Sequence, residues 1–400
     1  MGCGMAEQLI LTTSVVHELA GKDAATWDAF VANADQSDVS QLQAWSRIRA
    51  AAGFSPAYVL VREGQRLVAG AQVLTRRLPV VGLVGYVSSG PLIATDATCR
   101  ETACKTVCDA LATFGRSLRM LFVQPPVGVD RASAELGRLG FRPSDTDIAP
   151  AASLRIDLRV SEDKLRSRLD RRLQKWTRQW QKRGVSVRVG DETDLPFLAS
   201  LFERSAEHHE FKPVSLDYLR RQYSELARGG HSVLFVGEVD KAPVAVALMT
   251  CSGGMMRERL AGFDRTRAGS NLSVASAVTW NAMLWAREHG LSWYDLGGFS
   301  PEIARSMLRG NAIDLDSIPG PDRYKMKFGG EPYLMPQAME FGRPQLLLSA
   351  YELAQRSRSG RAALYAVGRK LRGGHAAVGA VALRYSDMFD GTWELARLGV

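Results

Sequence analysis

The sequence has no run of 18 or more apolar residues, so nothing in it predicts a membrane-spanning helix. Its first residues, Met1-Gly2-Cys3-Gly4-Met5-Ala6, lack the basic start and apolar core of a signal peptide. Ala6 also stands where a myristoylation signal needs Ser or Thr. Cysteine is scarce. The five present (Cys3, Cys99, Cys104, Cys108, Cys251) show neither a paired framework nor metal-ligand spacing. That pattern predicts free thiols in a reducing, cytoplasmic setting. His208-His209-Glu210 is the one concentrated acid/base cluster. Neighbouring histidines on a helix point about 100° apart and do not share a metal easily, so no metal is expected. Also absent are a phosphate loop, a Gly-x-Gly-x-x-Gly turn, a Gly-x-Ser-x-Gly elbow and a His-Glu-x-x-His helix. Those absences argue against a nucleotide hydrolase, a Rossmann dehydrogenase, a serine hydrolase and a zinc peptidase.

What remains is an ordinary globular composition, 46% hydrophobic and 23% charged, in a chain of 400 residues that is long enough for two domains. The net charge of +9 favours polyanionic partners such as RNA, nucleotide-linked substrates or anionic lipid heads. A weak internal repeat organises the chain. Hairpins at 59–71 and 234–247 lie about 175 residues apart, each preceded by a helical segment (42–52 and 216–227). A further strand follows each hairpin (83–87 and 259–263), then a helix and a strand (103–116 with 120–124, and 274–288 with 293–296). The predicted fold is α/β with mixed sheets in two copies of one unit, 1–150 and 151–345, and a basic helical tail over 346–400. That tail allows a surface helix near an anionic membrane or RNA, although an ordinary basic packing helix explains it better.

Residues 161–183 read as one helix. Leu165, Leu169, Leu173, Trp176 and Trp180 recur at spacings of 4, 4, 3 and 4 and form one apolar stripe. The other faces carry nine cations, among them Arg171, Arg172, Lys175, Arg178, Lys182 and Arg183. This is either a solvated basic face or a phosphate-backbone contact surface.

The most telling segment is Tyr324-Lys325-Met326-Lys327-Phe328-Gly329-Gly330, downstream of a strand ending Tyr294-Asp295-Leu296-Gly297-Gly298. It places a lysine and flexible backbone beside a glycine-lined opening, which suits acyl transfer to an amine, where charge develops on a carbonyl oxygen. The order of elements in the second unit is that of the Gcn5-related acyltransferase fold. Users of coenzyme A in that fold carry a glycine-rich pyrophosphate turn, whereas the equivalent turn here, 265–271, supplies both glycines in no register. An acyl donor other than coenzyme A follows as an expectation.

With these pieces in order, the chain resembles the Fem family of aminoacyl-tRNA-dependent transferases over roughly residues 25–345. The match rests also on Gln43-Ala44-Trp45, Tyr86-Val87-Ser88-Ser89-Gly90-Pro91, Phe122-Val123-Gln124-Pro125-Pro126, Gln181-Lys182-Arg183-Gly184-Val185 and Ala261-Gly262-Phe263-Asp264. The resemblance implies tandem Gcn5-related domains, an acceptor cleft in the first and an aminoacyl end of tRNA near the second. It implies that Lys325 stabilises the developing oxyanion beside Tyr324, with Lys327 as the competing lysine. Trp45, Arg47, Tyr86, His209, Lys212 and Asp295 are the substrate-binding candidates, and Arg171, Arg172, Lys175, Arg178, Lys182 and Arg183 the tRNA-binding ones. Aminoacyl-tRNA would be the co-substrate, with no other cofactor. The acceptor would be a peptidoglycan precursor amine or a small metabolite, and an acyl-coenzyme A N-acyltransferase is the alternative. Two departures stand out: Tyr324 where relatives often have Phe, and Ser89 where many have Arg before Gly-Pro. The second weakens recognition of a phosphorylated acceptor. The long helical arm of some staphylococcal members is also missing.

Overall fold

The computed structural model describes residues 10–78, 81–97, 100–144, 148–209, 215–264, 272–314 and 318–342. Lys212, the turn 265–271 and the tail 346–400 lie outside the described residues, as does the side chain of His209. The chain divides into two compact units. One takes the residues up to 145 and the segment returning at Pro336, and the other runs from 146 to Met335.

The first unit contains β1 (Leu11–Val16), β2 (Ser55–Glu63), β3 (Arg66–Leu78), β4 (Gly82–Ser88), β5 (Leu92–Ile93), β6 (Met120–Gln124) and β7 (Arg142–Pro143). The second contains β8 (Ala152–Asp157), β9 (Val185–Gly190), β10 (Ser232–Val239), β11 (Ala242–Ser252), β12 (Met255–Phe263), β13 (Trp293–Gly298) and β14 (Glu331–Leu334). The last strand, β15 (Met339–Gly342), lies within the span read from sequence as the second unit, yet it adds to the first sheet. The sheet orders are β1-β2-β3-β4-β6-β15-β7 and β14-β8-β13-β12-β11-β10-β9. Each has an antiparallel hairpin (β2/β3, β10/β11), a third antiparallel strand and then a parallel neighbour (β4/β6, β12/β13). The parallel step follows from the crossover helices Arg100–Gly115 and Val274–Glu288, because parallel strands need such a connection. The fold is therefore tandem Gcn5-related units with mixed sheets. β8 fills beside β13 the place that β15 fills beside β6, so the strand after β7 and the strand after β14 each lie in the other sheet.

In the second unit, Val274–Glu288 buries Ala277, Val278, Met283 and Ala286 in one core, while Leu195–His209 and Leu216–Ala227 bury Leu198, Phe202 and Leu219 in another. Segment 161–183 is not one helix. It is Glu162–Arg168, then Arg171–Trp176, then a 3-10 turn at Gln181–Arg183. The break has a local cause. Leu169 leaves the helix with ψ 156°, and Asp170 starts a new one by accepting a hydrogen bond from the Leu173 N–H at 2.7 Å. The apolar stripe survives the break: Leu165, Leu169, Leu173, Trp176 and Trp180 are all buried in the first of these two cores.

Candidate functional site

The site is built where two strands bulge. Leu248 faces Leu260 but Met249 faces Glu258, so Arg259 is an extra residue in β12. The bulge turns Leu260 toward the core of Leu195–His209 and leaves Glu258 facing Val274–Glu288. In β13 the register slips between Asp295 and Gly298, and Gly297 takes φ +76°, a left-handed conformation that glycine adopts without strain. The slip gives the Tyr-Asp-x-Gly-Gly segment its shape. Asp295 bends back to accept from the Gly297 N–H at 2.9 Å, and the carbonyl of Gly298 receives Lys325 Nζ.

Lys325 comes from the short helix Gly320–Met326, whose start Pro321 favours. It is only 7% exposed, which is unusual for lysine. Burial pushes its ammonium below the ordinary lysine range, while Glu258, Asp322 and Asp295 oppose that shift. Burial likewise raises the Glu258 carboxyl, against the pull of Lys325 and of hydrogen bonds from Tyr294 and Thr279. Those bonds reach Glu258 Oε2 from Tyr294 at 3.2 Å and from Thr279 Oγ1 at 3.3 Å, and Thr279 Oγ1 is 3.0 Å from the Tyr324 hydroxyl. Burial first, and the nearby Glu258 second, push the Tyr294 and Tyr324 phenols above their ordinary range, so both stay protonated donors. The arrangement combines one cation, one carboxyl poised above its usual range and two phenols in a region poor in water. Such a set can stabilise an oxyanion and move protons.

The glycines after the lysine fix its segment against the basic region. Asp170 donates its backbone N–H to the Lys327 carbonyl at 2.8 Å. Gly329 has φ +68°, and a Cβ there would stand 2.2 Å from the Arg168 carbonyl oxygen. Gly329→Ala is therefore expected to cost at least 1–3 kcal/mol from the backbone alone. A denaturation midpoint equal to that of the wild type would contradict this packing.

Several residues nominated from sequence sit elsewhere. Asp295 is 1% exposed and accepts from Ser153 Oγ, from Tyr333 at 2.6 Å and from Arg257 Nε at 2.7 Å. Burial works to raise its carboxyl, but Arg257, Ser153 and Tyr333 outweigh it and hold it below the ordinary carboxylate range. Its acceptors are taken by the protein, so it braces β13 and does not offer itself to a substrate. In the first unit, Trp45 and Tyr86 are both buried, Tyr86 edge-on to Phe54 at 5.4 Å, so little of either side chain's surface is open. Arg47 is exposed. Tyr324 is half-buried beside Lys325, and its ring meets Phe328 at 5.3 Å. Arg171, Arg172, Lys175, Arg178, Lys182 and Arg183 are all exposed on the broken basic segment. The Arg183 guanidinium also lies over Trp176 at 4.7 Å. Glu258, Thr279 and Ser153 were not singled out from sequence, and Tyr294 entered only as part of the strand-end motif 294–298. The strand assigned at 259–263 and the helix at 274–288 pointed near Glu258 and Thr279. Among the described residues, no group of three or more His, Cys, Asp or Glu could hold a metal ion, and no helix is long and apolar enough to cross a membrane.

Comparison with known proteins bears on both units. The FemAB family model matches residues 23–134, and an acetyltransferase (GNAT) domain model matches residues 156–326. The chain is 25% identical over 230 residues to the Lipid II:glycine glycyltransferase of Staphylococcus saprophyticus, covering 54% of this chain and 55% of that protein. It is 24% identical over 234 residues to the protein of the same name from Staphylococcus epidermidis, covering 54% and 55%. The chain thus spans about half the length of the curated relatives it matches. The crystal structure of FemX superposes with a TM-score of 0.71 at 18% identity, over 85% of this chain and 99% of that one, a likeness of fold.

Proposed function

We propose, on the premise that this chain belongs to the Fem family, that it moves an amino acid from aminoacyl-tRNA to an amine of a peptidoglycan precursor. The observation that carries this reading is Lys325, a lysine held by the Gly298 carbonyl inside a buried, hydrogen-bonded cluster where an ester carbonyl would gain negative charge. A fixed cation in such a place is worth several kcal/mol to an oxyanion and costs little reorganisation. The precursor acceptor is supported by relatives named as Lipid II glycyltransferases. The tRNA donor is supported by six exposed cations on a segment whose Asp170 N–H bonds the Lys327 carbonyl, next door to Lys325.

In this reading the acceptor amine attacks the ester carbon, Lys325 holds the oxyanion, and the ribose hydroxyl departs. The basic segment neutralises tRNA phosphates. Reversing Arg171 and Arg172 to Glu together is expected to raise the KM for charged tRNA at least tenfold, to leave kcat within about twofold, and to flatten the salt dependence. A KM that does not move would separate the basic segment from donor binding. The proposal as a whole is tested by incubating the protein with labelled charged tRNA and precursor, with and without ribonuclease, and with acetyl-coenzyme A as the competing donor. Transfer that survives ribonuclease and requires acetyl-coenzyme A would replace the proposal with the acyl-coenzyme A alternative. Transfer from charged tRNA to small amines alone would move the acceptor to a specialised metabolite.

A further inference from the structure

Three groups in the second unit form a continuous hydrogen-bonded line that none of the comparisons assigns. The Glu258 carboxyl accepts from Thr279 Oγ1 at 3.3 Å, and Thr279 Oγ1 lies 3.0 Å from the Tyr324 hydroxyl. The two ends differ from the middle. Glu258 and Tyr324 each keep part of their surface exposed, whereas Thr279 is 2% exposed. A sealed hydroxyl between two partly open proton-bearing groups is the geometry of a relay, because only the ends can meet a substrate. Tyr294 donates to the same Glu258 oxygen at 3.2 Å and fixes the carboxyl from the strand side.

We infer that Glu258, Thr279 and Tyr324 carry a proton from the attacking amine to the departing oxygen. This rests on the acyl-transfer reading above. The neutral amine forms a C–N bond to the ester carbon, and its N–H proton passes to a Glu258 oxygen. As the C–O bond breaks, Tyr324 gives its hydroxyl proton to the leaving ribose oxygen. Thr279 then passes its proton to the Tyr324 oxygen, and Glu258 returns one to Thr279. Every group ends as it began, and the sum is amide plus free hydroxyl. No outside reagent is needed.

The surroundings suit each role. Lys325 and Asp295 are the charged groups that face Glu258, and Tyr294 and Tyr324 the other titratable ones. Burial raises the Glu258 carboxyl above its ordinary range, which makes it a stronger base than a free carboxylate.

The test uses the full-length protein, charged tRNA and the precursor amine, with two donors. One is the ribose ester. The other is an aminoacyl p-nitrophenyl ester, whose phenolate leaves without a proton at neutral pH. Thr279→Val and Tyr324→Phe should each lower kcat with the ribose ester by at least tenfold and recover to within about threefold of wild type with the activated ester. Glu258→Gln should lose about 10²-fold with both donors, because the amine still needs a base. A structural role would not distinguish the donors. If Thr279→Val and Tyr324→Phe keep wild-type kcat with the ribose ester, or lose equally with both esters, the relay is wrong while the transferase reading stands. If the wild type moves no amino acid from charged tRNA but turns over with acetyl-coenzyme A, the donor assignment fails and the relay fails with it, because no ribose oxygen is left to take the Tyr324 proton. A wild type inactive with all three donors removes both.

Discussion

Replacing Lys325 with Met is expected to lower turnover about 10²- to 10³-fold, the loss typical of one oxyanion donor, without lowering the melting temperature. The two halves of that expectation have one cause. Burial disfavours the Lys325 ammonium, and the acids Glu258, Asp322 and Asp295 only partly restore it. A lysine whose folded pKa is lowered costs stability at every pH below that pKa, and the cost fades as pH rises through it. Met fills the same space without a charge, and that gain offsets the loss of a donor to the Gly298 carbonyl and of the cation beside Glu258, so the melting temperature is expected to stay level. Activity behaves in the opposite way. As pH rises through the lowered pKa the cation is lost, so wild-type turnover should fall on an alkaline limb below the usual lysine range. Lys325→Arg should move that limb upward, because a guanidinium stays charged. Kinetics and calorimetry on the same preparations check both halves. Undiminished turnover in Lys325→Met, or a loss matched by a falling melting temperature, would make the lysine structural.

Asp295→Ala should show the reverse pattern, a loss of stability of about 3–5 kcal/mol, because it strands a partner in a buried ion pair. Arg257 lies 2.7 Å from Asp295 Oδ2, Tyr333 donates at 2.6 Å, and Ser153 donates from β8. Removing one carboxylate therefore unsettles β8, β13 and β14 together. The folded pKa of Asp295 is held down. Its contribution is fully present above the unfolded carboxylate pKa and is lost as pH falls through the folded value. Wild-type stability should thus decline at acid pH more steeply than that of Asp295→Ala. Chemical denaturation at several pH values measures it. Parallel pH profiles for the two proteins would mean that the network does not brace the sheet.

The hairpins and the crossover helices were legible in the sequence because alternation and turn residues act locally. The helix at 161–183 shows the limit of that reading. The stripe from Leu165 to Trp180 keeps helical spacing although the chain breaks at Leu169, since buried side chains can hold one line while the backbone turns beneath them. Asp170, an N-cap residue ahead of Leu173, was the available signal. The segment carrying Lys325 and Tyr324 was visible as a motif, and the structure places both in the buried cluster around Glu258, while Asp295 was noticed without its hydrogen-bond partners. Its environment comes from Arg257, Ser153 and Tyr333, each 38 or more residues away in sequence. Glu258 was hidden for a similar reason. Its orientation depends on one extra residue in β12, and a bulge leaves little trace in composition. No residue pattern announces that β15 joins the first sheet either, because strand partners are chosen by sheet edges and not by the strand alone.

The central claim is that the buried lysine of the second unit serves acyl transfer from a charged tRNA. The most direct measurement is transfer of a labelled amino acid from charged tRNA to a peptidoglycan precursor amine, with wild-type protein and Lys325→Met side by side. The account predicts ribonuclease-sensitive product with wild type and about 10²- to 10³-fold slower formation with the variant. Equal product from both proteins, or product that forms from acetyl-coenzyme A and ignores ribonuclease, would contradict it.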